Sequence, residues 1–225
     1  MTGTDTSVGK TVATVALLRS AARLGLRAVG MKPVASGCER LADGSLYNED
    51  VAAHRAASVA APAHWTNPYA FELPLSPHLA ARAAGVTVEP ARLVEAYDGL
   101  RSQTDLVLVE GAGGWLAPLD ETRSMADLAR LLDLPVILVV GLRLGCLNHA
   151  RLSAAAIEAA GCRFAGWIGN RIDPAMAAAE ENIDYLTRCL PGPCLGVLPY
   201  FHSPEQKLEP LFEQRLDIAL KSIIN

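Results

Sequence analysis

The sequence predicts a doubly wound α/β fold, a mainly parallel sheet with helices on both faces. Three observations predict it. Short apolar runs of strand length alternate with longer stretches of helical period. Those runs are apolar throughout rather than alternating, as strands covered on both faces must be. The residues able to carry chemistry follow the carboxyl ends of the runs, where ligands bind in open parallel sheets. Strand, helix, strand repetition without a linker, repeat or low-complexity tract implies right-handed crossovers in one domain spanning residues 1–225.

The elements follow in order. Val12, Val15, Leu18 and Ala22 recur at helical spacing, and Gly25 stops that helix as a C′ residue. Ala28 to Met31 is a short apolar strand ending at Lys32-Pro33, and Leu106 to Val109 is a second, ending in Glu110. Val136 to Val140, closed by Gly141, Phe164 to Ile168, ending in Gly169-Asn170, and the weaker Cys194 to Leu198 complete the set. Helical patterns cover Glu89 to Leu100, with Pro90 near N1, Asn148 to Ala160, stopped by Gly161, and Pro174 to Cys189. Only Met1 and Thr2 precede Gly3, where a central strand belongs, so this first strand is expected to be truncated. Losing it would leave ladder groups of two neighbours unpaired, a cost that favours a start several residues upstream.

Composition excludes several classes. The chain has 225 residues, enough to bury a core without disulfides or a structural metal. Its 20 Lys and Arg against 24 Asp and Glu leave a net charge of −4, with no electrostatic footprint for nucleic acid or anionic membrane. With 51% hydrophobic and 20% charged residues, disorder is excluded. The five cysteines are scattered, odd in number and without C-x-x-C, which reads as a reduced compartment. The longest apolar run, Leu134 to Leu142, is too short to span a bilayer, and no charged stretch followed by an apolar run opens the chain. A cytoplasmic protein is expected.

The segment from Gly3 to Thr11, G-x₅-G-K-T, runs straight into the first helix. Its glycines let backbone N–H groups turn inward around phosphate oxygens, and the helix N-terminus adds its positive dipole end. Lys10 would sit on the β/γ-phosphates and the Thr11 hydroxyl on Mg²⁺. Glu110 stands at the tip of a buried strand, able to hold a nucleotide's magnesium. The flexible turn Gly111-Ala112-Gly113-Gly114 after it allows close backbone approach to a second anionic group. Lys32 follows the second strand toward the same edge, where a second lysine can neutralise charge developing in phosphoryl transfer, and Ser36 can hydrogen-bond a substrate. Asp50 is either a further Mg²⁺ ligand or a first-turn acid favourable to the helix dipole.

Taken together, these residues resemble the dethiobiotin synthetase family. The resemblance rests on Gly3 to Thr11, Lys32-Pro33-Val34-Ala35-Ser36-Gly37, Asn67-Pro68-Tyr69, Ser76-Pro77-His78, Val109 to Trp115 and Gly145-Cys146-Leu147-Asn148-His149, in the family's order from Thr2 to about Glu205. It implies a homodimeric phosphate-loop fold and an ATP- and Mg²⁺-dependent ring closure in biotin synthesis. In that reaction 7,8-diaminononanoate takes up CO₂ as a carbamate, the γ-phosphate activates it as a carbamic–phosphoric anhydride, and the neighbouring amine closes the cyclic urea. By matching position, Thr11, Asp50 and Glu110 would ligate magnesium, while Lys10 and the amides of Ser7, Val8, Gly9, Lys10 and Thr11 would hold phosphates. Lys32 would stabilise the carbamate and the transferred phosphoryl group, and Thr6 and Ser36 would touch the diamine or its carbamate. Asn170 would read the base, with Pro199, Tyr200, Phe201 and Glu205 lining the nucleoside. Gly145, Cys146, Leu147 and Asn148 would bind the far carboxylate across a dimer interface, and Asn182 stands where some members carry a tyrosine for it.

Other classes compete. Nucleotide-switched partitioning ATPases share a stretched phosphate loop but carry a lysine where this chain has Asp5. Amidoligases acting on large carboxylates generally carry a glutaminase domain for which 225 residues leave no room. Asn170-Arg171-Ile172-Asp173 faintly matches the guanine-reading N-K-x-D, which would let GTP compete. His78 and His149 lack metal-ligand spacing and read as packing or capping residues. Trp115 reads as wall, Arg143 as structural or at the interface, and Cys146 has no base placed to activate it.

Overall fold

The computed structural model describes residues 1–201 and 210–224; Glu205 lies outside the described residues. The chain opens with β1 (Thr2–Gly3), α1 (Lys10–Arg23), β2 (Ala28–Met31) and β3 (Val34–Ser36). A small hairpin of β4 (Glu39–Arg40) and β5 (Leu46–Tyr47) leads into α2 (Glu49–Ala57) and α3 (Ala63–Thr66). Then come β6 (Tyr69–Phe71), α4 (Pro77–Ala83), α5 (Pro90–Arg101), β7 (Leu106–Val109) and α6 (Met125–Leu131). The last part alternates β8 (Val136–Leu142), α7 (Cys146–Ala159), β9 (Phe164–Arg171), α8 (Ala179–Cys189), β10 (Cys194–Leu198) and α9 (Pro210–Ile224).

β1, β8, β9 and β10 form one parallel sheet in that order, and β2 pairs in parallel with β7. The two sheets meet at the start of the chain. The Met1 amino group donates to Val109 O at 2.6 Å, Gly111 N donates to Met1 O at 3.0 Å, and Thr4 N donates to Val139 O at 3.0 Å. The first strand therefore lies between β7 and β8, as a doubly wound sheet requires, but spans two residues. Beneath it a cavity of about 40 Å³ is lined by apolar side chains that include Trp115, Met125 and Leu134.

The uniform apolarity of the runs has the expected cause. Along β8, Val139 packs into a core layer with Leu17 and Leu18 of α1 and Leu216 and Leu220 of α9. Its neighbours Leu138 and Val140 pack on the opposite face with Ala150 and Ile157 of α7 and Leu186 of α8. Successive strand residues point to opposite faces, and here both faces are covered, so every position of β8 is buried. Each such leucine contributes roughly 1.5–3 kcal/mol by leaving water. No helix among the described residues is long and apolar enough to cross a membrane.

Several boundaries differ from expectation. β8 and β9 run on to Leu142 and Arg171 because their ladder stays in register through Leu142 and Arg171. The helix expected from Pro174 begins only at Ala179. The Asp173 carboxylate accepts the Ala175 N–H at 3.0 Å, an Asx turn, and Ala178 takes a left-handed φ of 52° before the helix starts. The two-residue strands of the hairpin and the single turn of α3 carry too few residues for any periodicity to be read.

The buried Met1 amino group carries a testable consequence. Burial pulls its pKa from the ordinary 8 down to about 6, with Lys10 reinforcing and Glu110 opposing the shift. Between pH 6 and 8 the unfolded chain keeps a proton that the folded chain has released, so stability rises with pH across that window. Two pKa units set an upper limit of about 3 kcal/mol. Thermal unfolding at pH 6 and pH 8 should show this rise, and a chain carrying extra residues ahead of Met1 should lose it. An equal rise in both chains would assign it to other groups.

Candidate active site

The crossover from β1 into α1 is shaped by two left-handed residues, Ser7 at φ 58° and Gly9 at φ 88°. A Cβ at Gly9 would stand 2.0 Å from Asn170 Nδ2, so both the backbone conformation and the close approach require glycine. α1 starts at Lys10 with Gly9 as its N-cap, leaving first-turn amides without intrahelical acceptors. Val8, 1% exposed, anchors the loop in the core, and its carbonyl accepts Asn170 Nδ2 at 3.0 Å. Lys10 folds back over the loop, donating from Nζ to Asp5 O at 3.1 Å. Its pKa is lowered by burial and then by the positive charge of Lys32, against the pull of Glu110, Asp50 and Asp5.

The parallel register of β2 and β7 pairs Met31 with Val109, so the next residues, Lys32 and Glu110, emerge side by side. Lys32 Nζ donates to Glu110 Oε1 at 2.6 Å and to Asp50 Oδ2 at 2.7 Å. The Thr11 hydroxyl lies 2.6 Å from Asp50 Oδ1 and 3.0 Å from Glu110 Oε1. Asp50 reaches this point from the first turn of α2, which Asn48 caps by accepting the Val51 N–H at 3.2 Å. Burial by itself would lower the Lys32 pKa, but the charges of Glu110 and Asp50 raise it above the usual value. Burial would likewise push the Glu110 carboxyl up; a hydrogen bond from His54 and the charge of Lys32 instead hold it well below the carboxylate range.

An open cleft of about 410 Å³ lies over this cluster. Ser7, Gly9, Lys10 and Thr11 line one side, and Thr6, Lys32, Ser36, Asp50, Glu110, Ala112 and Gly113 line the rest. The loop, the second lysine, both carboxylates and Ser36, expected to act together, are thus gathered in one place.

Other expected residues are placed elsewhere. The Val8 side chain belongs to the core, so only its backbone faces the loop's interior. Gly111 turns away from the cleft, bonding Met1 O through its N–H and lining the small cavity below. Asn170 sits behind the loop, with its Oδ1 buried and without a partner among the described residues. Leu198 pairs with Asn170, which brings Pro199, Tyr200 and Phe201 to the same sheet edge. Cys146, Leu147 and Asn148 open α7 after Gly145 and, like Asn182 on α8, are absent from the cleft wall. Asn182 Nδ2 donates to Ala178 O at 2.8 Å. Arg143 pairs with Asp5 at 2.7 Å, His78 lies beside its neighbour Ser76 at 3.1 Å, and Trp115 is buried away from the cleft.

One participant escaped the sequence reading. His54 Nε2 lies 2.8 Å from Glu110 Oε2, with His54 2% and Glu110 0% exposed. The available signal was its place one helical turn after Asp50, hence on the same face of α2.

Fold and loop together define a class, the phosphate-loop nucleotide-binding α/β proteins. A model of the AAA domain matches residues 1–207. Among solved structures, the MinD cell division protein of Aquifex aeolicus superposes with a TM-score of 0.52 at 16% identity, covering 99% of this chain and 93% of that one. A ParA family ATPase from Chlorobium tepidum TLS gives 0.53 at 14%, covering 100% and 95%. At these identities the likeness is one of fold. Two curated relatives are much more similar: the ATP-dependent dethiobiotin synthetase BioD of Xanthomonas oryzae pv. oryzae (strain PXO99A), 54% identical, and that of Aromatoleum aromaticum, 52% identical. Each is matched over 201 residues, 89% of this chain and 89% of the relative. The chain belongs to the ATP-dependent dethiobiotin synthetase family, and it is a ligase.

The buried pair allows a stability test. Removing Lys32 leaves the enclosed Glu110 carboxylate without its neutralising cation, so Lys32→Met should lose about 3 kcal/mol in metal-free buffer at neutral pH. Little change in folding, which the strand-end position of Lys32 by itself suggests, would be the contrary result. Denaturant unfolding in chelator distinguishes the two.

Proposed function

We propose that residues 1–225 act as one domain that carboxylates 7,8-diaminononanoate with CO₂ and closes it to dethiobiotin, with ATP converted to ADP and phosphate. The observation that carries this reading is the meeting of Lys10 and Lys32 in one cleft with Thr11, Asp50 and Glu110. Carbamate and triphosphate are both anions, and drawing them together requires cations at the point of transfer. The 52–54% identity to named dethiobiotin synthetases supports the particular substrate. The switch ATPases share the fold alone.

In this reading Lys10 and the amides of residues 7–11 hold the phosphates at the N-terminus of α1. Lys32 turns from its carboxylates toward the carbamate and the transferring phosphoryl group, where negative charge develops. Thr6 and Ser36 line the cleft with hydroxyls for the diamine or its carbamate. The carbamate oxygen attacks the γ-phosphorus and ADP leaves. The second amine then attacks the carbamoyl carbon, expelling phosphate and losing a proton as the cyclic urea forms. Holding both amines in one site makes that closure effectively intramolecular.

The donor set fits magnesium. Thr11 Oγ1, Asp50 Oδ1 and Glu110 Oε1 are hard oxygens, the two carboxylate oxygens 2.6 and 3.0 Å from the hydroxyl, and a cation, the Lys32 ammonium, already bridges the two carboxylates. Thr11, Asp50 and Glu110 would hold the ion, which when bound neutralises and orients the phosphate oxygens. Asn170, whose Oδ1 has no partner among the described residues, would read the base beside Pro199, Tyr200 and Phe201. The far carboxylate would meet the start of α7 at Gly145, Cys146, Leu147 and Asn148, with Asn182 nearby. Those residues lie off the cleft wall, which supports a homodimer in which a second copy completes the site. Leu144, 96% exposed, and Leu152, 62% exposed, give that segment an apolar surface for the partner to cover. A cytoplasmic location accords with these substrates.

Phosphate release from Mg-ATP and bicarbonate should depend on 7,8-diaminononanoate, with the organic product gaining a carbonyl by mass. Hydrolysis indifferent to the diamine would return the switch ATPases to consideration. Lys32→Ala should lower turnover by about 10²–10³-fold; activity like that of the parent would remove Lys32 from the chemistry. Glu110→Gln should shift the Mg²⁺ dependence of the rate to higher concentration, and an unchanged titration would reduce Glu110 to a structural role.

A further inference from the structure

We infer that His54 is a positioning residue for the metal site: its Nε2–H engages Glu110 Oε2 and thereby directs Oε1, the other carboxylate oxygen, at Thr11 and Lys32. The inference rests on the proposed role of Glu110 as a ligand. Glu110 is fully enclosed and accepts from Lys32 and Thr11 through Oε1 alone. Oε2 meets the imidazole of His54, which is not part of the cleft wall, at 2.8 Å. A charged carboxylate only accepts hydrogen bonds, so Nε2 carries the hydrogen.

The remainder of the ring's setting offers no separate structural reason for a histidine. Nδ1 is buried with no partner among the described residues, a penalty that a leucine or methionine at this position would not incur. Space for the ring comes from Gly30 on β2, where a Cβ would stand 3.0 Å from both Cβ and Cγ of His54. Ser58 Oγ donates to His54 O at 2.7 Å and accepts the Gly30 N–H at 2.9 Å, fastening the end of α2 to β2. One turn earlier the same helix presents Asp50. α2 thus supplies one carboxylate directly and orients the other, whose free rotation would let both oxygens compete for Lys32. Partners that orient a ligand in this way are commonly worth 10–100-fold in metal affinity.

The test compares His54→Met with His54→Gln, side chains of similar length of which only glutamine retains an N–H near the place of Nε2. Calorimetric titration of Mg²⁺ into the full chain with a non-hydrolysable ATP analogue should show about 10–100-fold weaker binding for the methionine variant. The glutamine variant should stay close to the parent. Equal weakening in both would make ring packing the cause and overturn the inference, as would parent-like binding in both. Glu110→Gln, run alongside, separates the two readings: if it leaves Mg²⁺ binding unchanged, the metal-ligand reading itself fails. The ¹⁵N spectrum of histidine-labelled parent is a readout independent of variant folding. It should show Nε2 protonated at His54, and a bare Nε2 with hydrogen on Nδ1 would overturn the inference.

Discussion

Everything at the cleft depends on one buried ion pair, Lys32 with Glu110, made where β2 and β7 end together. Neither charge would be tolerated in that interior alone. Each strand is short and apolar, and the pair caps both at the same height, so backbone register and charge neutrality specify one another. Asp50 joins by accepting a second hydrogen bond from the Lys32 ammonium, and the Thr11 hydroxyl stands between the two carboxylates. The concentration of charge that makes the site costly to fold also makes it receptive to a cation and to phosphates.

Rigid elements converge on this pair from three directions. α1 brings Thr11 and Lys10 behind the loop, α2 brings Asp50 and His54, and the two strands bring Lys32 and Glu110. The glycines are spent where backbone must approach closely: Gly9 against Asn170, and Gly30 against His54. The first strand is where regular structure is thinnest. Two ladder residues and the Met1 amino group join β7 to β8, and the loop that cradles the cleft begins immediately after. Loop geometry is therefore coupled to how firmly the start of the chain is held.

The fold was legible because a parallel sheet covered on both faces needs unbroken apolar strands, and Leu106 to Val109 and Val136 to Val140 can serve as little else. Boundaries were less legible where a local hydrogen bond overrides propensity, as the Asp173 turn does ahead of α8. The β3–β6 pair and the small hairpin left no periodic trace, since strands of two or three residues are made by tertiary contact. The orientation of Gly111 was illegible for a related reason. Nothing in Gly111-Ala112-Gly113 says which backbone amide will face the cleft and which will pair with Met1.

The sequence by itself determined the chemistry's inventory: a stretched phosphate loop on a helix, a lysine and a glutamate at strand ends, and an acid in the first turn of a helix. Local chain geometry suffices for these, because each is defined by its place on one element. Only the tertiary structure decided that Lys32 bridges Glu110 and Asp50, that His54 stands behind Glu110, and that the start of α7 lies off the cleft wall. His54 and Glu110 are 56 residues apart, and their contact exists only once α2 is docked on β2 and β2 is in register with β7. Side-chain chemistry can be read along a chain, but charge compensation is settled in the interior, where burial removes water as the alternative partner.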